Sequence, residues 1–287
     1  MPRTIALLTD FGYRDGYVGV MKGVLAMRCP GASVIDLTHG IPPQEILTGA
    51  LQLASAVPYF PPDTVFLAVV DPGVGSDRRA LCLHSGGRLF VGPDNGLLWP
   101  AAAGLGQPEA FCLDRPETWL PAPGATFHGR DIFAPVAAAL AGGEDPDQLG
   151  TPIPDPVRLE IPRPELRPGG WAGQVILIDG YGNAVTNLRP EDLGHPAPRS
   201  VRFRVGSREV CGPDPCYAAV PPGSPLVVAG SFGYFELSLN RGNAAGALGL
   251  RAGDPVFAVP SQAPPLSLRH LLRNRSARLV WLRPFRV

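Results

Sequence analysis

The chain has 287 residues, of which 45% are apolar and 17% are charged, and its formal net charge is zero. This length and composition predict a substantial core and two domains rather than one. The charge balance lacks the basic stripe of a nucleic-acid-binding protein, and no window reaches the ~18 consecutive apolar residues of a membrane helix, so neither nucleic acid nor a membrane is expected as a partner.

The first half of the chain alternates strand-like and helix-like segments. Apolar runs predict strands at residues 4–8, 33–37, 64–70, 80–83 and 89–91. Apolar residues at helical spacing predict helices at residues 16–28, 44–57 and 131–141. Such alternation predicts an α/β domain with a mainly parallel central sheet, which we assign to residues 1–151.

The composition changes after this domain. Residues 152–170 are too rich in proline for a helix or a central strand, which predicts an extended linker. Beyond them, short strand-like segments recur at residues 174–178, 201–205, 225–229, 234–239, 255–259 and 278–282. Their spacing predicts a smaller all-β C-terminal domain, antiparallel and barrel-like or a sandwich, over residues 171–287.

Polar residues follow three strands of the first half. Asp10 follows the first strand, His39 the second and Asp71 the third, and Asp71 opens a glycine-rich turn that ends at Arg78. The carboxyl ends of parallel strands meet at one edge of a sheet, where open α/β sheets bind ligands. Asp, Thr and Gly are also favoured in turns for local reasons, but their coincidence at three strand ends favours a binding crevice.

A second polar cluster precedes the helix predicted at residues 131–141. His128 lies beside the expected helix N-terminus, whose positive end disfavours the imidazolium form. A neutral ring can accept a proton near neutral pH, so His128 is a candidate base. The alternative is a histidine that is merely hydrogen-bonded at a helix start.

Several polar loops of the second half are candidate binding segments. Asn side chains and loop amides can read a purine edge, whereas Asp, Ser and Glu together suit an ammonium group. Each loop taken alone is equally typical of a hairpin turn. The candidate residues are Asp179, Asn183, Ser231, Glu236, Asn243 and Ala244.

The five cysteines do not suggest a secreted disulfide framework, because their number is odd. Cys211 and Cys216 lie close enough in sequence for a bridge, and the sequence leaves their redox state open. The apolar run near the start is too brief for a signal peptide. We therefore expect a cytoplasmic protein.

Five motifs, in order over nearly the whole chain, resemble the S-adenosyl-L-methionine (SAM) hydrolases, also called SAM hydroxide adenosyltransferases. These proteins are related to the SAM-dependent fluorinases and chlorinases. The motifs are DFG at residues 10–12, DPGVG at 71–75 with Arg78, PDNGL at 93–97, FHGRD at 127–131, and GN at 182–183 with Asn187.

The resemblance implies an enzyme that cleaves SAM to adenosine and L-methionine by attack of activated water on ribose C5′, with no cofactor or metal. It implies that Asp71, Arg78 and His128 position and activate the water. Because the halogenases depart from the family at these positions, the chain resembles a hydrolase. The resemblance further implies a homotrimer, with each site between the α/β domain of one subunit and the C-terminal domain of its neighbour.

The resemblance also implies substrate contacts in both halves of the chain. Asp10 corresponds to the carboxylate that holds the ribose hydroxyls, and Asn243 and Ala244 to the region around the adenine. The positions implied around the methionine part are Asn183, Ser231, Asp179 and Glu236. Tyr217 is left unassigned, because loop lengths differ near the ring that stacks on the base in the relatives.

Two other functions remain open on the sequence. A metal-dependent hydrolase of a nucleotide-like substrate could use Asp10, Asp71 and His128 as ligands, although no HxH or HxxxH spacing is present. A SAM- or nucleoside-binding module without catalysis would need the same pocket residues. The sequence gives neither the preferred sulfonium stereoisomer nor the physiological role.

Overall fold

The computed structural model describes residues 2–194 and 201–260, and the strand predicted at 278–282 lies outside them. The described chain divides into two compact units, residues 2–160 and residues 161–260 without the gap. In this part of the chain no helix combines the length and the apolar character needed to cross a bilayer.

The first unit contains a seven-stranded sheet with the strand order β2-β1-β3-β5-β4-β6-β7. Parallel pairing joins β1 to β2, β1 to β3 and β3 to β5. The strands are β1 (Ile5–Thr9), β2 (Val34–Thr38), β3 (Val65–Val69), β4 (Ala80–Ser85), β5 (Arg88–Pro93), β6 (Glu109–Cys112) and β7 (Thr151–Pro152).

The prediction of a mainly parallel sheet is only partly confirmed. The pairs β4–β5, β4–β6 and β6–β7 are antiparallel, so three of the six strand pairs are parallel and three are antiparallel. The reason is the connection between β4 and β5, which consists of Gly86 and Gly87 alone. A two-residue turn joins only antiparallel strands, whereas a parallel pair needs a long crossover.

Helices cover both faces of this sheet. Alternate residues of β1 point to opposite faces, so Ile5 and Leu7 pack with α1 and α4, whereas Ala6 and Leu8 pack with α2 and α3. The helices are α1 (Tyr17–Arg28), α2 (Ile46–Ala56), α3 (Trp99–Ala103), α4 (Ala134–Gly142) and α5 (Pro146–Leu149), with a π-helical turn at Gly129–Phe133 and 3₁₀ turns at Val57–Tyr59 and Pro116–Thr118.

The second unit is an antiparallel sheet with the order β12-β11-β15-β9-β10-β14-β13, in which β8 pairs with β9. The Asp214 N–H after β12 donates to the Val227 carbonyl of β13 at 2.7 Å, so the two end strands meet and nearly close a barrel. The elements are β8 (Glu165–Arg167), β9 (Gly170–Ile178), β10 (Ala184–Thr186), β11 (Val201–Val205), β12 (Arg208–Gly212), β13 (Pro225–Ala229), β14 (Phe235–Leu239), α6 (Ala244–Leu248) and β15 (Pro255–Pro260), with 3₁₀ turns at Pro190–Leu193 and Tyr217–Ala219.

The proline-rich segment between the domains makes defined contacts at both of its ends. In the first unit, the Asp155 carboxylate accepts from Arg79 at 2.8 Å. In the second unit, the Pro162 carbonyl accepts from the Asn187 amide at 3.0 Å. The edge strand β8 also lies within this segment and contains none of its prolines.

Candidate active site

Asp71 and Arg78 are joined in a two-pronged ion pair just beyond the carboxyl end of β3. The Arg78 Nε donates to both Asp71 oxygens, at 3.0 and 3.1 Å, and Nη2 lies 2.5 Å from Oδ2. The Asp71 side chain is 5% exposed, and the Arg78 side chain is 10% exposed. A nearly buried pair of this geometry fixes the orientation of the carboxylate, because the planar guanidinium matches it at two points.

His128 completes this cluster from the other side of the guanidinium. The Arg78 Nη2 lies 2.7 Å from the His128 Nδ1. Arginine can only donate, so Nδ1 is the acceptor and the neutral ring carries its proton on Nε2. Burial lowers the pKa of His128, and the positive charge of Arg78 lowers it further, whereas Asp71 and Asp131 act in the opposite direction. The ring is therefore neutral near pH 7.

A close loop contact brings His128 and Arg78 together. Gly75 has φ +78, and a Cβ built on it would lie 2.5 Å from the Ala125 carbonyl oxygen. The turn at residues 71–78 can therefore approach the loop before His128 only with glycine at this position. Asp131, in the π-helical turn after His128, accepts from the Gly124 N–H at 2.9 Å and so holds the same loop.

Asp10 lies at the same edge of the sheet as Asp71. The neighbouring parallel strands pair Thr9 with Val69, so both carboxylates follow the strands at this edge. Asp10 accepts from the Gln44 N–H at 2.8 Å, and Gln44 has the left-handed φ of +69, which is uncommon outside glycine. A backbone donor thus holds the carboxylate in place.

The loop after Asp10 also reaches the segment that bears His128. Phe11 and Tyr17 each pack edge-to-face against Phe127, with ring centroids 5.9 and 5.3 Å apart. His39, at the end of the second predicted strand, instead has a fully buried side chain, whose Nδ1 lies 2.8 Å from the Thr9 hydroxyl. This edge of the sheet thus carries Asp10 and the Asp71–Arg78–His128 cluster, whereas the His39 side chain is buried beneath it.

In the second unit, Asp179 organises the turn between β9 and β10. Its Oδ1 accepts from the Tyr181 and Asn183 N–H groups at 2.9 and 2.8 Å, and its Oδ2 accepts from the Asn183 amide at 2.9 Å. Such an arrangement is typical of an Asx turn. The side chains of Asp179 and Asn183 thus lie side by side.

The segment of Asn243 and Ala244 packs directly on this turn. The Ala245 N–H donates to the Gly182 carbonyl at 2.8 Å, and a Cβ at Gly182 would overlap the Asn243 side chain. The Asn243 side chain accepts from the Gly246 N–H at 2.6 Å and so caps α6.

Glu236 lies on β14 and is 3% exposed. Burial raises its pKa, and the charge of Asp179 raises it further, whereas hydrogen bonds from Tyr217 and Ser238 lower it. The Tyr217 hydroxyl donates to Oε1. A Cβ on Gly230 would overlap Oε2, so the backbone just before Ser231 passes close to the same carboxylate.

Tyr217 is the polar contact that sequence reasoning left unassigned. Its partner Glu236 is distant in sequence, and Tyr217 itself lies in a short 3₁₀ turn that no periodic pattern reveals.

The six candidates of the second half form one neighbourhood within the second unit. The four residues at the sheet edge form another within the first unit.

The position of Arg78 argues against a metal ion bound by Asp71 and His128. Its guanidinium lies against both Asp71 and the Nδ1 of His128, where a shared cation would have to bind. Within residues 2–194 and 201–260, no group of three or more His, Cys, Asp or Glu side chains is arranged to hold a metal ion.

Family models match both units of the chain. The SAM hydroxide adenosyltransferase N-terminal domain matches residues 5–150, and the corresponding C-terminal domain matches residues 173–257. The chain belongs to the SAM hydroxide adenosyltransferase family. The resemblance seen in the five sequence motifs is thereby confirmed.

Individual relatives agree with that placement. A Thermus thermophilus protein named (R)-S-adenosyl-L-methionine hydrolase is 44% identical over 263 residues, which cover 88% of this chain and 98% of that protein. A fluorinase from an Actinoplanes species is 27% identical, over 87% of this chain and 95% of its own length. The crystal structure of an uncharacterized conserved protein from Thermotoga maritima superposes with a TM-score of 0.82 at 36% identity, over 88% of this chain and 99% of that one.

Proposed function

We propose that this protein hydrolyses SAM to adenosine and L-methionine. The observation that carries the proposal is the continuous hydrogen-bonded set Asp71–Arg78–His128 at the carboxyl end of β3. The 44% identity to a protein named (R)-S-adenosyl-L-methionine hydrolase supports the same substrate, against 27% to a fluorinase.

The chemistry requires few protein groups. The water oxygen forms a bond to ribose C5′ while the C5′–S bond breaks, and its electron pair stays on sulfur. The sulfonium thus leaves as the neutral thioether of methionine and needs no general acid. The site has only to align the water and to accept one proton from it.

The hydrogen bonds divide the work among the three side chains. His128 uses its only free lone pair, on Nδ1, to accept from Arg78, so it presents an Nε2–H donor to the water and does not act as the base that the sequence suggested. Asp71 takes the proton, because its Oδ1 accepts only one Arg78 bond and retains a lone pair. Arg78 holds both partners and stabilises developing hydroxide.

Substrate recognition is assigned to both units. Asp10 binds the ribose hydroxyls, and the segment of Asn243 and Ala244 binds the adenine. The amino-acid end is bound by Asp179, Asn183, Ser231 and Glu236. The proximity of the Asp179 and Glu236 carboxylates supports ammonium binding, because the negative charge of Asp179 disfavours ionisation of Glu236 until a cation lies near both.

The remaining proposals concern organisation. We assign residues 1–151 to the α/β domain, 152–170 to a linker and 171–287 to the β-barrel-like domain, and we propose a homotrimer with sites between subunits. A cytoplasmic location is supported by the cysteines, all five of which are free thiols. A reducing compartment keeps thiols in this state.

The test is incubation of the protein with SAM, followed by chromatography for adenosine and methionine. Equal amounts of both products are expected, with the (R) sulfonium epimer consumed in preference to the (S) epimer, as the name of the Thermus relative suggests. Binding of SAM without release of adenosine would instead favour a non-catalytic module.

A further inference from the structure

The PDNGL motif at residues 93–97 is left without a role by the proposed mechanism, although it lies next to the cluster. It begins at the last residue of β5, the strand that lies between β3 and β4. Asp71 follows β3, and Arg78 precedes β4. The motif therefore lies between the two chain segments that carry the ion pair.

Asn95 holds the chain immediately before Asp71. Its amide donates to the Val70 carbonyl at 2.8 Å, while its Oδ1 accepts from the Leu97 N–H at 3.1 Å. The pairing of β3 with β5 ends at Leu67, so the Val70 carbonyl lies beyond the sheet pairing on that side. The Asn95 amide takes the place of a strand partner there and fixes the backbone from which Asp71 projects.

Asp94 holds the chain immediately after Arg78. Its carboxylate, 1% exposed, accepts from the Arg79 Nε at 2.8 Å, and its backbone N–H donates to the Arg79 carbonyl at 3.0 Å. The same carbonyl also accepts from the Arg78 Nη1 at 3.4 Å. Asp94 thus fixes a backbone oxygen that is bonded directly to the guanidinium.

These contacts converge on one role. We propose that Asp94 and Asn95 are positioning residues, which set the distance and angle between Asp71 and Arg78 by holding the adjoining peptide groups Val70 and Arg79. Neither side chain touches the substrate in this assignment. The inference rests on the proposed function for its kinetic test but not for its spectroscopic test.

The kinetic test uses Asn95→Asp, which keeps the acceptor for Leu97 and removes the donor to Val70. We expect kcat to fall by about tenfold to a hundredfold with little change in KM, because small displacements of reacting groups have effects of that size. The matched control is Asn240→Asp in the second unit, whose amide donates to the Val220 carbonyl at 2.6 Å. It should lose stability similarly and keep its kcat.

A second pair of variants covers the case in which Asn95→Asp fails to fold. Asp94→Asn retains an acceptor for the Val157 N–H, which lies at 2.7 Å from Oδ1, and weakens only the hold on Arg79. Its control is Asp155→Asn, which removes the exposed carboxylate at the other end of the same arginine. Asp94→Asn should lower kcat, and Asp155→Asn should not.

A spectroscopic readout separates this proposal from the proposed function. In ring-nitrogen NMR, wild-type His128 should show the Nε2–H tautomer, and Asn95→Asp or Asp94→Asn should change its Nδ1 shift while His39 and His84 stay unchanged. These shifts together with an inactive wild type would reject SAM hydrolysis and keep the positioning role. Wild-type kcat in both variants, equal losses in the controls, or an unaltered His128 spectrum would overturn the positioning role.

Discussion

At the residue scale, one guanidinium determines what its two neighbours can do. Arg78 donates to the Nδ1 lone pair of His128 and to both oxygens of Asp71, so the tautomer of His128 and the orientation of Asp71 are fixed together. The sequence analysis proposed all three positions and gave His128 the role of a base. Only the direction of a hydrogen bond, which no sequence pattern encodes, changes that assignment.

Asp71→Asn tests the proton acceptor. The amide is nearly the same size but has little basicity, so turnover should fall by about 10²- to 10⁴-fold while the protein remains folded. The control is Asp77→Asn in the same turn, where the side chain is exposed. Steady-state assays of both variants check the result, and an Asp71→Asn enzyme as active as the parent would remove Asp71 from the mechanism.

The lowered pKa of His128 predicts the acid limb of the pH profile. The neutral ring accepts from Arg78, whereas the imidazolium has a proton on Nδ1 and repels the guanidinium. Activity should therefore be lost as the pH falls through the His128 pKa, which lies below the ordinary 6.5. We expect kcat/KM against pH to show a midpoint below 6.5. An acid limb centred above 6.5 would contradict this prediction.

At the element scale, glycines set how closely the site loops approach. The turn at 71–78 contacts the loop before His128 through Gly75, and β5 approaches β3 through Gly92, on which a Cβ would overlap the Ala68 carbonyl oxygen. The π-helical turn at Gly129–Phe133 then leads from His128 into α4. Single π-helical turns recur at functional sites.

Gly75→Ala should separate the two loops. The added Cβ would overlap the Ala125 carbonyl at 2.5 Å, so we expect reduced kcat in addition to a stability loss of about 1 kcal/mol or more from the positive φ. Gly223→Ala is the matched control, with φ +79 and no atom within 4 Å of the new Cβ. Thermal melts and assays of both variants distinguish backbone strain from loop displacement. Equal kcat values for Gly75→Ala and Gly223→Ala would contradict the role of Gly75.

Helices and strands with a clear apolar periodicity were predictable from the sequence. Very short strands and the antiparallel direction of β4 were not. The helix predicted at 16–28 is observed at Tyr17–Arg28, and the strand at 64–70 is observed at Val65–Val69. The three-residue β10 is too short to show an alternation. The antiparallel sense of β4 depends on a two-glycine turn, whose meaning emerges only when the strands on both sides are assigned.

At the scale of the whole molecule, the predicted site residues fall into two separate sets. We assign water activation and ribose binding to residues of the first unit, and binding of adenine and the amino-acid end to residues of the second. A motif-by-motif comparison along the sequence finds both sets. Whether one chain or two neighbouring chains complete a site depends on assembly, which sequence motifs do not encode.

Mixed oligomers test the shared site. Asp71→Asn removes a residue of the first unit, and Glu236→Gln removes one of the second, so each variant alone should be nearly inactive. If each site combines two subunits, co-expressed variants should regain about a quarter of wild-type turnover, the statistical share of sites with both intact halves. Sedimentation should show a trimer. An active monomer, or mixtures as inactive as the single variants, would contradict this assembly.

In the proposed reaction, water held by Asp71, Arg78 and His128 attacks the ribose C5′ of SAM. The most direct measurement is turnover of SAM in water enriched in heavy oxygen, followed by mass spectrometry of both products. We expect the label to enter the 5′-hydroxyl of adenosine and the methionine to remain unlabelled. Unlabelled adenosine, or no adenosine at all, would contradict it.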